Sequence, residues 1–323
     1  MRIRPVILLL FISSSLCSQT SKKTIKAELF FDQPAPGNSP ALFAPGIVSD
    51  EYGNRDMAIS PSGNEIFYTI QYRGFAISVI MFSQKLKGKW TTPEVAMFSG
   101  QYSDLEPAFS PDGNRIYFSS NRPITGTGKK DFDIWYIEKE KGIWSEPKNM
   151  GAQVNTSNDE FYPSIAKSGN IYFTRQMEGK DEDIVMCRFA NNQYDTAISL
   201  PNAVNSTGAE FNAFVDPDEQ YILFTGYKRK GNIGSGDIFI SKKNGNGEWE
   251  EAKNLGDKIN GAGNTYCPYV SPDKKYFFFT SSRSLFKAPF DKKQSFKDLK
   301  AYMNGPWNGW DNIYWIDAGE VIR

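Results

Sequence analysis

The chain contains no histidine, and this restricts the chemistry open to its other residues. A Ser–His–Asp or Cys–His nucleophile system needs an imidazole, as does a zinc site built on histidine ligands. Carboxylate, phenol and cation chemistry remain. Asp56 and Glu106 stand at the same point of two consecutive repeats and are the candidate acid/base pair of a glycoside hydrolase. Such a pair sits roughly 5–5.5 Å apart in retaining enzymes and roughly 6.5–9.5 Å apart in inverting ones. Tyr162 beside an arginine gives a weaker case for a lyase. No Asp-x-Asp-x-Asp loop is present, and the acidic run Asp181-Glu182-Asp183 reads as a solvated turn, so neither a metal nor a cofactor is expected.

These residues belong to a repeat. Five segments align: DMAISPSGNEIFYT, EPAFSPDGNRIYFSS, YPSIAKSGNIYFTR, NAFVDPDEQYILFTG and CPYVSPDKKYFFFTS. Their second residues, Met57, Pro107, Pro163, Ala213 and Pro268, are 50, 56, 50 and 55 residues apart. A period of about 50 residues is that of a propeller blade. In each copy a short apolar strand meets a tight turn, such as Ser110-Pro111-Asp112-Gly113, where Pro presets φ and Gly accepts a positive φ. A second strand returns, and after a variable loop a third begins at Asp133, Asp183, Asp237 or Asp311. Recurring acids at these positions, and at Asp104, Glu160 and Glu210, read as structural hydrogen-bonding groups. An aromatic (Trp90, Trp144, Tyr194 or Trp249) precedes the stretch leading to the next copy. Four strands per repeat make one blade. The last copy stops after its third strand, and the segment 39–45 is expected to supply the missing fourth and close the ring. The expected fold is therefore all-β: a five-bladed propeller of four-stranded antiparallel blades, residues 39–323, with repeats starting near 54, 104, 160, 210 and 265.

In a propeller the first strand lines the channel, so Asp56, Glu106, Tyr162, Asn212 and Cys267 should form a ring at the channel mouth. The ring differs in every blade, which suits an asymmetric ligand. The loops after the second strand carry Arg122, Arg175 and Arg283, expected as a basic rim on the same face. Between Arg283 and Asp311 lies a long insertion. A short helix over 291–302 is expected there, ended by Pro306, with Trp307 and Trp310 free to stack on a sugar or a peptide.

The N-terminus has Arg2 and Arg4, an apolar run over 5–12 and three serines, the pattern of an export signal over 1–18, followed by a lead segment over 19–38. Cleavage after Ser18 and lipidation of Cys17 both stay open; membrane association is expected only in the second case. Cys187 and Cys267 are then read as two buried free thiols. Equal acidic and basic counts, 37 each, give no electrostatic case for nucleic acid.

The segment FSPDGNRIYFSSNRP followed by DIWYIEK resembles the WD-repeat-like propeller repeat of TolB-type periplasmic proteins of bacterial cell envelopes. Lys167-Ser168-Gly169 and Asp273-Lys274-Lys275 depart from its turn pattern. The resemblance covers about residues 40–323 and implies the fold. The family also includes propeller domains of prolyl-oligopeptidase-type peptidases, whose activity a chain without histidine does not inherit. The expectation is a monomeric, exported binding or scaffold module of the periplasm or envelope. It would recognise a protein, peptide or glycan through Asp56, Glu106, Tyr162, Asn212, Arg122, Arg175, Arg283, Trp307 and Trp310; the alternative is the carboxylate hydrolase or lyase above.

Overall fold

The structure, a computed structural model, describes residues 30–72, 76–126, 130–179, 181–284 and 289–323. The expected export signal, with Cys17, lies outside the described residues. Turn chemistry sets up each blade. In the second, the inner strand Asp104–Phe109 ends at Ser110. The Asp112 carboxylate accepts from Ser110 Oγ (2.6 Å) and Asn114 N (3.0 Å), Gly113 takes φ +73°, and the chain returns as Arg115–Ser120. Asp133–Glu140 pairs next and Lys148–Asn149 forms the outer edge. The other inner strands are Gly53–Ile59, Glu160–Ile165, Ala209–Val215 and Thr265–Val270. The result is the expected five-bladed propeller of antiparallel sheets.

The ring is closed by Ala41–Leu42, which pairs with the last blade so that Ala41 faces Trp315 and Leu42 faces Tyr314. Phe43, wholly buried, locks this strand against Phe278 and Trp315, with ring centroids 5.1 and 5.2 Å away. The packed fold reaches back to Phe30, which stacks on Trp90 of the first blade. Gln33 donates to Leu42 O and accepts from Ala44 N.

A second device joins neighbouring blades. The linkers contain Val48-Ser49, Phe98-Ser99, Val154-Asn155, Val204-Asn205 and Ile259-Asn260. The apolar member is buried between blades. Its polar neighbour bonds the backbone of an isoleucine in the third strand of the preceding blade: Ser49 with Ile313, Ser99 with Ile80, Asn155 with Ile134, Asn205 with Ile184 and Asn260 with Ile238. Each asparagine both accepts from the isoleucine N–H and donates to its carbonyl.

Phe43→Ala should destabilise the fold by about 3–5 kcal/mol, the usual cost of emptying a packed aromatic site. Urea unfolding followed by tryptophan fluorescence checks this; a loss below about 1 kcal/mol would show that the closing strand is dispensable to the ring.

Candidate functional site: the channel septum and the cavity beneath it

Each inner strand contains a β-bulge where its pairing register shifts. At the bulge stand Asp56, Glu106, Tyr162, Asn212 and Cys267, all left-handed, with φ between +49° and +60°. None of them is glycine, and such conformations cost of order 1 kcal/mol each for ordinary residues. The bulge frees an N–H that turns toward the preceding blade. Glu106 N donates to Asp56 Oδ2 (3.2 Å) and to Thr69 Oγ1 (3.2 Å), Tyr162 N to Glu106 Oε2 (2.7 Å), and Asn212 N to Thr174 Oγ1 (3.0 Å).

The five side chains meet on the axis. Asn212 Nδ2 donates across the channel to Glu106 Oε1 (3.0 Å), and Tyr162 Oη spans it to Pro268 O (3.0 Å). Cys267 Sγ donates to Asp56 Oδ1 (2.8 Å). At the centre is Arg55. Its Nε donates to Asp56 Oδ1 (2.8 Å) and its Nη2 to Glu106 Oε1 (2.7 Å), and the guanidinium lies 5.0 Å from the Tyr266 ring centroid. No member of the ring is more than 7% exposed. The expected channel-mouth ring is thus a buried septum. Phe161 and Phe211 pack with Tyr162, Tyr266 and Cys267 on its mouth side.

Burial shapes the ionisation here. It pushes Glu106 up to about 7, against the pull of Arg55 and with a further push from Asp56. It would lower Arg55, but the adjacent Asp56 and Glu106 outweigh it and hold the guanidinium well above its usual range. It drives the Cys267 thiol and the Tyr162 phenol up, so both stay protonated.

Beneath the septum the channel widens into a cavity of about 250 Å³ running to the hairpin turns. Glu106 and Tyr162 border its inner end; Ile59, Ala108, Phe109, Ile165, Phe214 and Tyr269 are among its walls. Pro61, Pro111, Pro217 and Pro272 stand at the turns. Ala108, Phe109, Phe214 and Tyr269 line it and are only partly buried, each also packing against a blade core. Lys167 and Lys274 at the rim are paired with Asp218 (2.8 Å) and Asp216 (2.7 Å). The cavity therefore lies at the opposite end of the channel from the face on which the ring was expected to open.

The arginines expected on a basic rim are committed to the fold. Arg122 donates to Phe98 O (2.8 Å) and pairs with Asp104 (2.7 Å). Arg175 donates to Val154 O (2.6 Å) and pairs with Glu160 (2.9 Å). Arg283 reaches the carbonyl of Ile259, and Arg229 does the same at Val204 while pairing with Glu210 (2.9 Å). Each ties the second strand of a blade to the linker entering it, where linker carbonyls would otherwise lack donors. The insertion does hold a helix, Phe296–Met303, capped by Ser295 and ending at Asn304. Trp307 and Trp310 follow it, 39% and 53% exposed and remote in sequence from the cavity-lining residues.

Sequence reasoning passed over Arg55 and the hydroxyls Thr69, Ser119 and Thr174. A signal for the second group was present: Thr or Ser recurs at the end of the second strand in every repeat (Thr69, Ser119, Thr174, Thr225 and Thr280), and all five are buried. Arg55 has no counterpart in other blades, where Leu105, Phe161, Phe211 and Tyr266 stand.

No family model and no curated protein matches the chain. Among solved structures it is similar to that of a BT0996 RGII complex, with TM-score 0.53 and 9% identity over 88% of this chain and 92% of that one. It is also similar to TolB from Acinetobacter baumannii (TM-score 0.45, 16% identity, 73% of this chain and 50% of that one) and to a thermostable family-43 glycoside hydrolase (0.47, 11%, 71% and 83%). At these identities the likeness is one of fold alone: the TolB-like propeller expected from the repeats is the architecture observed.

Arg55→Met leaves two buried carboxylates without their cation and should cost about 3–5 kcal/mol at pH 8. The penalty should shrink at pH 5. Glu106 has a folded pKa, about 7, above its ordinary 4.5, so its contribution is intact below 4.5 and lost as pH rises through 7. Removing the cation enlarges that gap. Urea unfolding of both proteins at the two pH values measures it; an equal penalty at both would refute the electrostatic role.

Proposed function

We propose that this chain is an exported binding propeller that takes an apolar side chain of a partner protein or peptide into the cavity at the hairpin-turn end. The observation that carries this is the cavity itself: about 250 Å³, walled mostly by aliphatic, aromatic and proline side chains, with serines and paired charges among them. An apolar cavity of roughly 150 Å³ accommodates benzene, so this one has room for an indole. Proline-held turns and paired rim charges surrounding an apolar pocket match the anatomy of a binding hot spot, where one anchor fills a desolvated pocket inside a polar rim. A glycan would need several free polar groups. Glu106, the charged group deepest in the cavity, is already engaged by Arg55, Asn212, Tyr162 and Ser119. In this role Asp56 and Glu106 share one guanidinium inside the fold and act as its frame rather than as an acid/base pair. Export rests on the signal pattern over 1–18; no helix among the described residues is long and apolar enough to cross a membrane.

The probe is 5-fluoroindole, followed by fluorine NMR, against the parent chain and Ala108→Trp, which fills the cavity from its wall. A ligand this small should bind the parent with a dissociation constant of roughly 0.1–1 mM. Position 108 also packs against the core between the second and third blades, so the variant should melt a few degrees lower, stay folded at the assay temperature, and lose the binding. Equal binding by both proteins, or none by a folded parent, would overturn the proposal.

A further inference from the structure

The helix Phe296–Met303 has no buried residue. It sits in the connection between the second and third strands of the last blade, at the end of the propeller away from the hairpin turns. At 100° per residue Phe296, Leu299 and Met303 fall on one stripe, Lys300 lies beside it, and Lys297 and Asp298 both fall on the far half of the helix. Asp298 also faces the N-terminus, where it closes the capping box with Ser295. Tyr302, off the stripe, tethers the helix by donating to Trp307 O (2.9 Å). The following loop is tied to the propeller through Asn308, which donates to Glu51 O (3.1 Å), and Asn312, which donates to Pro306 O (2.5 Å). Tyr302 and the half-buried Leu299 lie on the held side of the helix, while Phe296, 80% exposed, and Met303, 64% exposed, project to solvent at its two ends. Trp307 and Trp310 extend the exposed apolar surface beyond the helix.

A solvent-exposed apolar stripe of this kind marks an interaction surface. Its charge indicates the occupant. Residues 291–303 contain four lysines (292, 293, 297 and 300) and two aspartates (291 and 298), a net charge of 4 − 2 = +2 on a chain whose overall net charge is +0. Lysines beside exposed Phe and Met on a short helix, with two Trp in the loop that follows, form the pattern of a segment lying in a lipid interface, with apolar side chains among the acyl chains and ammonium groups at the headgroups. We infer that this helix and the Trp307–Trp310 loop dock the propeller on an anionic membrane surface. This is independent of the cavity, which lies at the other end of the channel and would face away from the bilayer.

The test uses residues 19–323, in which acylation of Cys17 cannot contribute. It is co-sedimented with sucrose-loaded vesicles of phosphatidylglycerol and phosphatidylcholine (1:1), or of phosphatidylcholine alone, in about 50 mM salt, where surface charges are weakly screened. The parent should partition onto the anionic vesicles roughly tenfold more strongly than onto the neutral ones. Phe296→Ser/Met303→Ser should lower binding to anionic vesicles by roughly tenfold, and Lys297→Glu/Lys300→Glu should abolish the anionic preference. All substituted positions are solvent-facing, and unchanged thermal midpoints would confirm the fold. Binding that neither variant alters would overturn the inference. So would no binding to either vesicle, an outcome that would assign the stripe to a protein partner.

Discussion

Five inner strands converge on one axis, and each must bend there without losing its pairing to the rest of its blade. A bulge with one left-handed residue solves this, and it recurs in all five blades at Asp56, Glu106, Tyr162, Asn212 and Cys267. The strain of five such residues is offset in two ways. At Glu106, Tyr162 and Asn212 the N–H freed by the bulge finds a hydroxyl or carboxylate of the preceding blade, and side chains turned to the axis bond one another. Two of those side chains are acids, and without Arg55 their charges would face each other in a buried site. The septum therefore depends on one guanidinium, and the channel is divided because the septum forms.

This division explains the cavity. The polar groups of the channel are consumed at the septum, so what lies between it and the turns is mostly aliphatic and aromatic. It also separates the two ends of the molecule. One presents an apolar cavity bordered by proline-held turns; the other presents a tethered helix with Phe296, Met303 and its lysines exposed. A scaffold whose blades are locked to each other can hold both surfaces without coupling them.

The lock itself is built from repeated residues that look functional in isolation. Arg122, Arg175, Arg229 and Arg283 follow the second strand, where exposed loops and binding residues are usual. Yet each reaches back to the linker carbonyl just before its own blade, and Asn155, Asn205 and Asn260 bond that linker to the blade before. Repetition was the clue: a group that recurs with the blade serves the blade. Arginines at strand ends suggested a rim because spacing alone does not say whether a long side chain extends to solvent or folds back to an unpaired carbonyl.

Much of the architecture follows from local pattern. Turn residues at a period near 50 set the hairpins, the Pro-flanked segment near Leu42 supplies the strand that pairs with the last blade, and the Asp-led third strands complete the blades; all of these are signalled by a few neighbouring residues and are legible in the chain as written. The sequence also placed Asp56, Glu106, Tyr162, Asn212 and Cys267 together, because equivalent positions of a closed ring must meet at its axis. Which way those side chains turn and how deep they lie emerges only on packing. That depends on a left-handed bulge that no glycine announces, on Arg55, which occurs once and so leaves no periodic trace, and on bonds between non-adjacent blades such as Glu106 to Asn212. Contacts across the axis join residues 106 apart in the chain, and no local rule of turns or alternation reaches that far.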